Sequence, residues 1–148
     1  MATYSSSVMT AQPRRVHAGV NCVWGTYSFG ATASSAGDIV MLAKIPTGAR
    51  VIDVRTDHST GATAQGLSYG LATGTTAGGG ASYSAFIASG AQATNLYAAA
   101  GALPFTISVS DSDPNKYGIF CAKVESGTAT TSLLVNFRVS YTVDEQTS

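Results

Sequence analysis

Charge is scarce in this 148-residue chain: Asp, Glu, Lys and Arg make up 11% of it, against roughly a quarter in an ordinary soluble domain. Eight basic residues cancel eight acidic ones, so there is no basic excess to bind nucleic acid or an anionic membrane, and neither is expected as a partner. Cysteine is nearly absent. Cys22 and Cys121 lie far apart without CxxC or Cys/His spacing, which excludes a zinc site; both fall in apolar strand patterns and read as buried free thiols. The longest unbroken apolar run, Ile39 to Ala43, is far short of the roughly 20 residues that cross a bilayer as a helix. The first fifteen residues carry neither an early basic region nor an apolar block, so no secretory signal is read and synthesis in a cytoplasm is expected.

Small side chains are what the chain does have: Ala, Gly, Ser and Thr together make up about half of it. A surface solvated by hydroxyls and backbone, near zero net charge, favours self-association and suits a subunit of an assembly. Helical periodicity is almost missing, and alternation with period two replaces it. Leu133, Val135, Phe137, Val139, Tyr141 and Val143 fall on one face of a long strand, with Asn136, Arg138, Ser140 and Thr142 on the other. Similar stripes run through Val16, Ala18, Val20, Cys22 and Trp24; Leu67, Tyr69 and Leu71; Phe105, Ile107 and Val109; and Phe120, Ala122 and Val124. Clusters of Gly, Ser, Thr, Asp and Asn separate them. The expectation is an all-β chain: a two-sheet antiparallel β-sandwich, jelly-roll-like, of seven to eight strands, with an extended N-terminal arm at residues 1–13 and a single domain at 14–148.

Asp38 to Thr56, DIVMLAKIPTGARVIDVRT, reads as a tight hairpin. Pro46 pre-sets φ at the turn, and Gly48 can take the left-handed conformation that a three-residue loop needs. Ile39 to Ile45 is apolar on both faces, which marks a strand covered on both sides, one cover being a neighbouring subunit. From Ser59 to Ser110 no charged residue occurs, and this stretch reads either as flexible surface loops or as a surface that packs against other subunits, where charge is depleted; residues 91–100 also admit a short helix. The arm has no charge and little apolar mass, so it is expected to extend until it meets a partner.

Catalytic chemistry is poorly represented. There is no GxSxG, no P-loop lysine and no dinucleotide-binding glycine motif. The two histidines are His17 and His58; His17 reads as solvent-facing. Asp53, Asp57 and His58 form the best polar constellation and in principle suit a divalent cation, but Arg50 and Arg55 flank them, and alternating charge is the usual way to keep a strand face soluble. Asp111, Asp113 and Asn115 start like a calcium loop that then fails at Lys116 and Ala122. No catalytic residue, cofactor or metal is therefore assigned, and an enzyme is not expected. Trp24 with the tyrosines suggests a sugar platform, although strand aromatics more often serve a core.

The stretch KIPTGARVIDVRTD, Lys44 to Asp57, resembles the small β-sandwich head decoration or cement proteins of tailed bacteriophages. LSYGLAT, Leu67 to Thr73, and SAFIAS, Ser84 to Ser89, resemble later segments of that family; Ser82 and Ser84 stand where its members usually carry acidic residues. The resemblance implies a non-enzymatic structural protein of the virion, made in the host cytoplasm and placed on the capsid exterior. It further implies a trimer or other homo-oligomer that binds the major capsid protein and bridges coat subunits. The interaction residues assigned on the chain are Tyr4, Val8, Met9, Arg14, Arg15, Trp24, Phe86 and Tyr97. A carbohydrate- or receptor-binding sandwich of a phage fibre or other virion appendage is the alternative.

Overall fold

The structure is a computed structural model, and it describes residues 3–10, 19–29, 36–46, 48–58, 66–73, 82–91, 96–97, 105–106, 117–126 and 133–143. Among the described residues ten strands are formed: β1 (Thr3–Ser5), β2 (Asn21–Phe29), β3 (Ile39–Pro46), β4 (Ala49–His58), β5 (Gly66–Thr73), β6 (Ser82–Ala91), β7 (Leu96–Tyr97), β8 (Phe105–Thr106), β9 (Tyr117–Ser126) and β10 (Leu133–Val143). A 3-10 turn, Ser7–Thr10, follows β1. One sheet runs β1-β3-β9-β5-β6 and the other β2-β10-β4-β7, with β8 also pairing β4. All pairs are antiparallel except β1 with β3. Without β1 and β8, the eight strands stand in the order first, eighth, third, sixth in one sheet and second, seventh, fourth, fifth in the other. That interleaving is jelly-roll-like. Leu96–Tyr97 is strand, so no helix includes those residues.

The core between the sheets is built from the inward faces of these strands. Val135, Phe137, Val139, Tyr141 and Val143 of β10 are buried, with Leu134 and Arg138 among the outward residues, as the alternation specifies. Phe120 sits at the centre, its ring 6.0 Å from Tyr69, 6.1 Å from Phe86 and 5.9 Å from Phe137. Such aromatic contacts add to the transfer free energy of burying the rings.

The segment around Pro46 and Gly48 is not the hairpin its turn chemistry suggests. Gly48 does take a positive φ, of 82°. However, β3 pairs with β1 and β9 while β4 pairs with β10, β7 and β8, so the turn carries the chain from one sheet to the other. Ile45 before it and Ala49 after it both enter the core. Pro and Gly specify a reversal; whether the two arms meet edge to edge or face to face is decided by where each finds its hydrogen-bond partners.

The expected phase of β2 is also reversed. Val20, Cys22 and Trp24 point outward, with Trp24 73% exposed, while Asn21 and Phe29 are buried and Val23 and Tyr27 pack against the core. Both stripes carry apolar side chains; the one that buries Phe29 and stacks Tyr27 edge-on against it at 5.1 Å prevails. Gly25 leaves room for the large Phe137 ring directly opposite in register. Cys22 is consequently exposed, and only Cys121 is the buried thiol expected of both.

Candidate functional site

Two regions bear residues assigned from the sequence. The first is the N-terminal segment, which the structure docks on its own sandwich. β1 lies along β3. The strand β3 contains a bulge between Met41 and Ala43, so that Val40, Leu42, Ala43 and Ile45 all reach the core cluster. Ser6 serves this irregular edge: its N–H donates to the Met41 carbonyl at 2.8 Å and its hydroxyl to the Leu42 carbonyl at 2.6 Å. Tyr4 and Val8 pack against the main core, and Met9 packs with Met41 and Tyr117 over Ile39, Ile119 and Cys121. Residues 3–10 thus find their partner within the chain, where the extended arm was expected to find it outside. Met9 also supplies part of the second cover that the two-sided apolar pattern of β3 demanded.

The second region is the outer face of the sheet β2-β10-β4-β7. Arg138 stands in register with Trp24 on one side and Arg55 on the other, and Arg55 is opposite Tyr97 of β7. The next row is Thr26, Asn136 and Asp57, and the row on the other side is Cys22, Ser140 and Asp53. The Asp53 carboxylate receives both guanidinium groups, Arg55 Nε at 3.1 Å and Arg138 Nη2 at 3.4 Å. The Thr26 hydroxyl donates to Asn136 Oδ1 at 2.6 Å. A groove of about 540 Å³ opens here, lined by Trp24, Thr26, Arg55, Asp57, Asn136 and Arg138, with Gly25 and Phe137 beneath.

A bulge between Ser140 and Tyr141 of the β10–β4 ladder leaves Ile52 without a register partner and puts Val51 and Val54 both inside. Beyond it Asp53, Arg55 and Asp57 face outward together. His58, one residue further, points the other way, and its Nε2 is hydrogen-bonded to the buried Tyr69 hydroxyl at 2.7 Å across the sandwich. The two carboxylates and the imidazole therefore do not converge, and among the described residues no three His, Cys, Asp or Glu side chains are grouped to hold a metal. Burial raises the Tyr69 phenol far above its ordinary value, and pushes the Cys121 thiol up to about 12. Neither is poised as a nucleophile or base near neutral pH.

Of the other assigned residues, Phe86 is in the core, 1% exposed, and Tyr97 lies on β7. Arg14, Arg15, His17 and the calcium-like stretch 111–115 lie outside the described residues, as does most of the charge-free run. Asn136, Arg138 and Thr26 were not assigned to a site. The polar face of β10 was plain in the sequence, but its adjacency to Trp24 depends on the β2–β10 register.

No family model and no curated protein matches the sequence. Solved structures do match by shape. A chain in the capsid of Ralstonia phage GP4 superposes with a TM-score of 0.75 at 16% identity, covering 98% of this chain and 100% of the other. A chain of the acidic stable capsid of Helicobacter pylori bacteriophage KHP30 gives 0.58 at 16% identity, covering 86% and 90%. One in the cyanophage Pam1 capsid asymmetric unit gives 0.57 at 20%, covering 89% and 94%. The fold of this chain is one that occurs in phage capsids.

Proposed function

We propose that the protein is a non-enzymatic structural component of a phage virion, a decoration or cement protein that binds the assembled head and bridges coat subunits. The observation that carries this reading is the end-to-end match with a capsid chain of nearly the same length. The match spans both chains, so the whole fold and not a fragment of it is shared. The short motifs from Lys44 to Asp57 and from Leu67 to Thr73 support the same assignment. So does the poverty of charge, because lattice binding uses broad, weakly charged surfaces in which repeated copies add avidity to modest single contacts. A trimer or other homo-oligomer on the capsid exterior completes the proposal. Tyr4, Val8 and Met9 pack on the chain's own sandwich and stay partly exposed, and Arg14 and Arg15 are proposed beside them as contacts to the coat protein.

The test is co-sedimentation of the purified protein with empty capsids that lack it. Saturable binding at a fixed ratio to coat subunits, with greater resistance of the shell to heat, is the expected outcome. Failure to saturate, or binding that leaves the shell unchanged, would overturn the assignment.

A further inference from the structure

The groove over Trp24 lies on the outer face of its sheet and combines an exposed indole with a rim of polar groups. Trp24 is the exposed aromatic side chain among its described lining residues, with Phe137 beneath, and its neighbours are planar hydrogen-bonding groups: the Asn136 amide, the Asp57 carboxylate and the Arg55 and Arg138 guanidinium groups, with the Thr26 hydroxyl beside them. The exposed hydrophobic residues Val20, Ile52 and Leu134 are not among the groove's lining residues. Trp and Arg also anchor protein interfaces, but the centre of such an interface is depleted of carboxylates, and Asp57 lines this groove.

The charges in the groove cancel. Two guanidinium groups share the Asp53 carboxylate, and Asp57 adds a second negative group. Phosphate or another strong anion would have to compete with Asp53 for both arginines, so the site is matched to a neutral ligand. Several partners are oriented within the face: Asp53 pairs with both arginines, the Thr26 hydroxyl donates to Asn136, and all of them project from paired strands rather than from loops. A row of donors and acceptors beside one flat apolar plate suits a ligand with an apolar face and a rim of hydroxyls.

We infer that the outer face of the β2-β10-β4 sheet is a carbohydrate-binding site, in which a neutral pyranose stacks its C–H face on Trp24 while its hydroxyls bond to Asp57, Asn136 and Arg138. The ligand class is a neutral hexose or N-acetylhexosamine, free or within a surface polysaccharide. This activity is additional to lattice binding and does not depend on it.

Trp24 is the only tryptophan in the chain, so its emission reports the site without labelling. The probes are the methyl pyranosides of glucose, galactose and mannose and N-acetylglucosamine, titrated at millimolar concentrations, with saturation-transfer NMR as a second readout that does not need the indole. A saturable emission change with at least one probe is expected, weakened at least tenfold in Asp57→Ala and in Asn136→Ala at unchanged melting temperature, and with no transfer to sugar in Trp24→Ala. No saturable response to any probe by either method, or full transfer in Trp24→Ala, would overturn the proposal. If Trp24→Ala abolishes capsid co-sedimentation while no sugar binds, the face is a coat-protein contact and the carbohydrate reading is refuted. Capsid binding without sugar binding refutes this inference alone and leaves the structural role standing.

Discussion

Substituting Gly25 by alanine tests the docking of the N-terminal segment more sharply than removing that segment does. Gly25 lies within β2 and is not among the positive-φ glycines, so its backbone admits any L residue. By local preference alone, alanine should stabilise the strand by about 0.5 to 1 kcal/mol, because glycine loses more conformational freedom on folding. The tertiary structure reverses the sign. A Cβ at this position would lie 2.5 Å from Val8 Cγ2, 2.9 Å from Phe137 Cζ and 3.3 Å from Phe137 Cε1. Phe137 is itself packed on Phe120, and overpacking of this kind costs about 1 to 3 kcal/mol. The expected net effect is a destabilisation of about 0.5 to 2 kcal/mol, or a fall in Tm of some 1 to 8 °C for a chain of this size. Shortening Val8 removes the closest of the three contacts. In a double-mutant cycle followed by urea unfolding, Gly25→Ala and Val8→Ala together should therefore cost less than the sum of the two, by about 0.5 to 1.5 kcal/mol, at unchanged m-value. Additivity within about 0.5 kcal/mol, or a Gly25→Ala protein more stable than the parent, would show that Val8 does not sit over Gly25 and that residues 3–10 are not docked as described.

Two further outcomes follow from the turn and from the buried titratable groups. A Cβ added at Gly48 meets no atom within 4 Å, so Gly48→Val isolates backbone strain at φ 82° and should lower stability by about 1 to 3 kcal/mol in the same assay; an unchanged midpoint would contradict that conformation. Burial holds Cys121 protonated up to about 12 in the folded state, whereas the unfolded thiol ionises near its ordinary value of 9.0. Between those two values the unfolded chain binds fewer protons, so stability is intact below about pH 9 and falls as pH rises toward 12, at about 1.4 kcal/mol per pH unit for this group. Cys121→Ala should make the alkaline limb of the stability profile shallower by about that slope, and an identical limb in the variant would refute the assignment.

The division between what was legible and what was not runs through particular residues. In β10 every inward position is large and apolar and most outward ones are polar, so burial energy points one way and the alternation alone determined its face. Likewise the positive φ of Gly48 follows from local chemistry. The strand β2 was different, because Trp24 and Cys22 on one face compete with Tyr27 and Phe29 on the other. Its orientation was decided by Phe137, distant in sequence, needing the space over Gly25, and the local edge-on contact of Tyr27 with Phe29 then follows the face so chosen. The bulges in β3 and β4 shift the phase within a strand, and nothing in a period-two pattern shows where a ladder will slip. Whether Pro46 to Gly48 joined two neighbours in one sheet or two sheets was set by the partners β9 and β10, which lie at the far end of the chain. The groove over Trp24 belongs to the same category: each of its residues is visible in the sequence, but only the β2-β10-β4 register brings the indole, the amide, the carboxylates and the guanidinium groups onto one surface. Local sequence determines turns and the faces of unambiguous strands because those energies are decided within a few residues. Pairing, register and the site they assemble are decided by long-range burial and hydrogen bonding, which exist only once the sheets have formed.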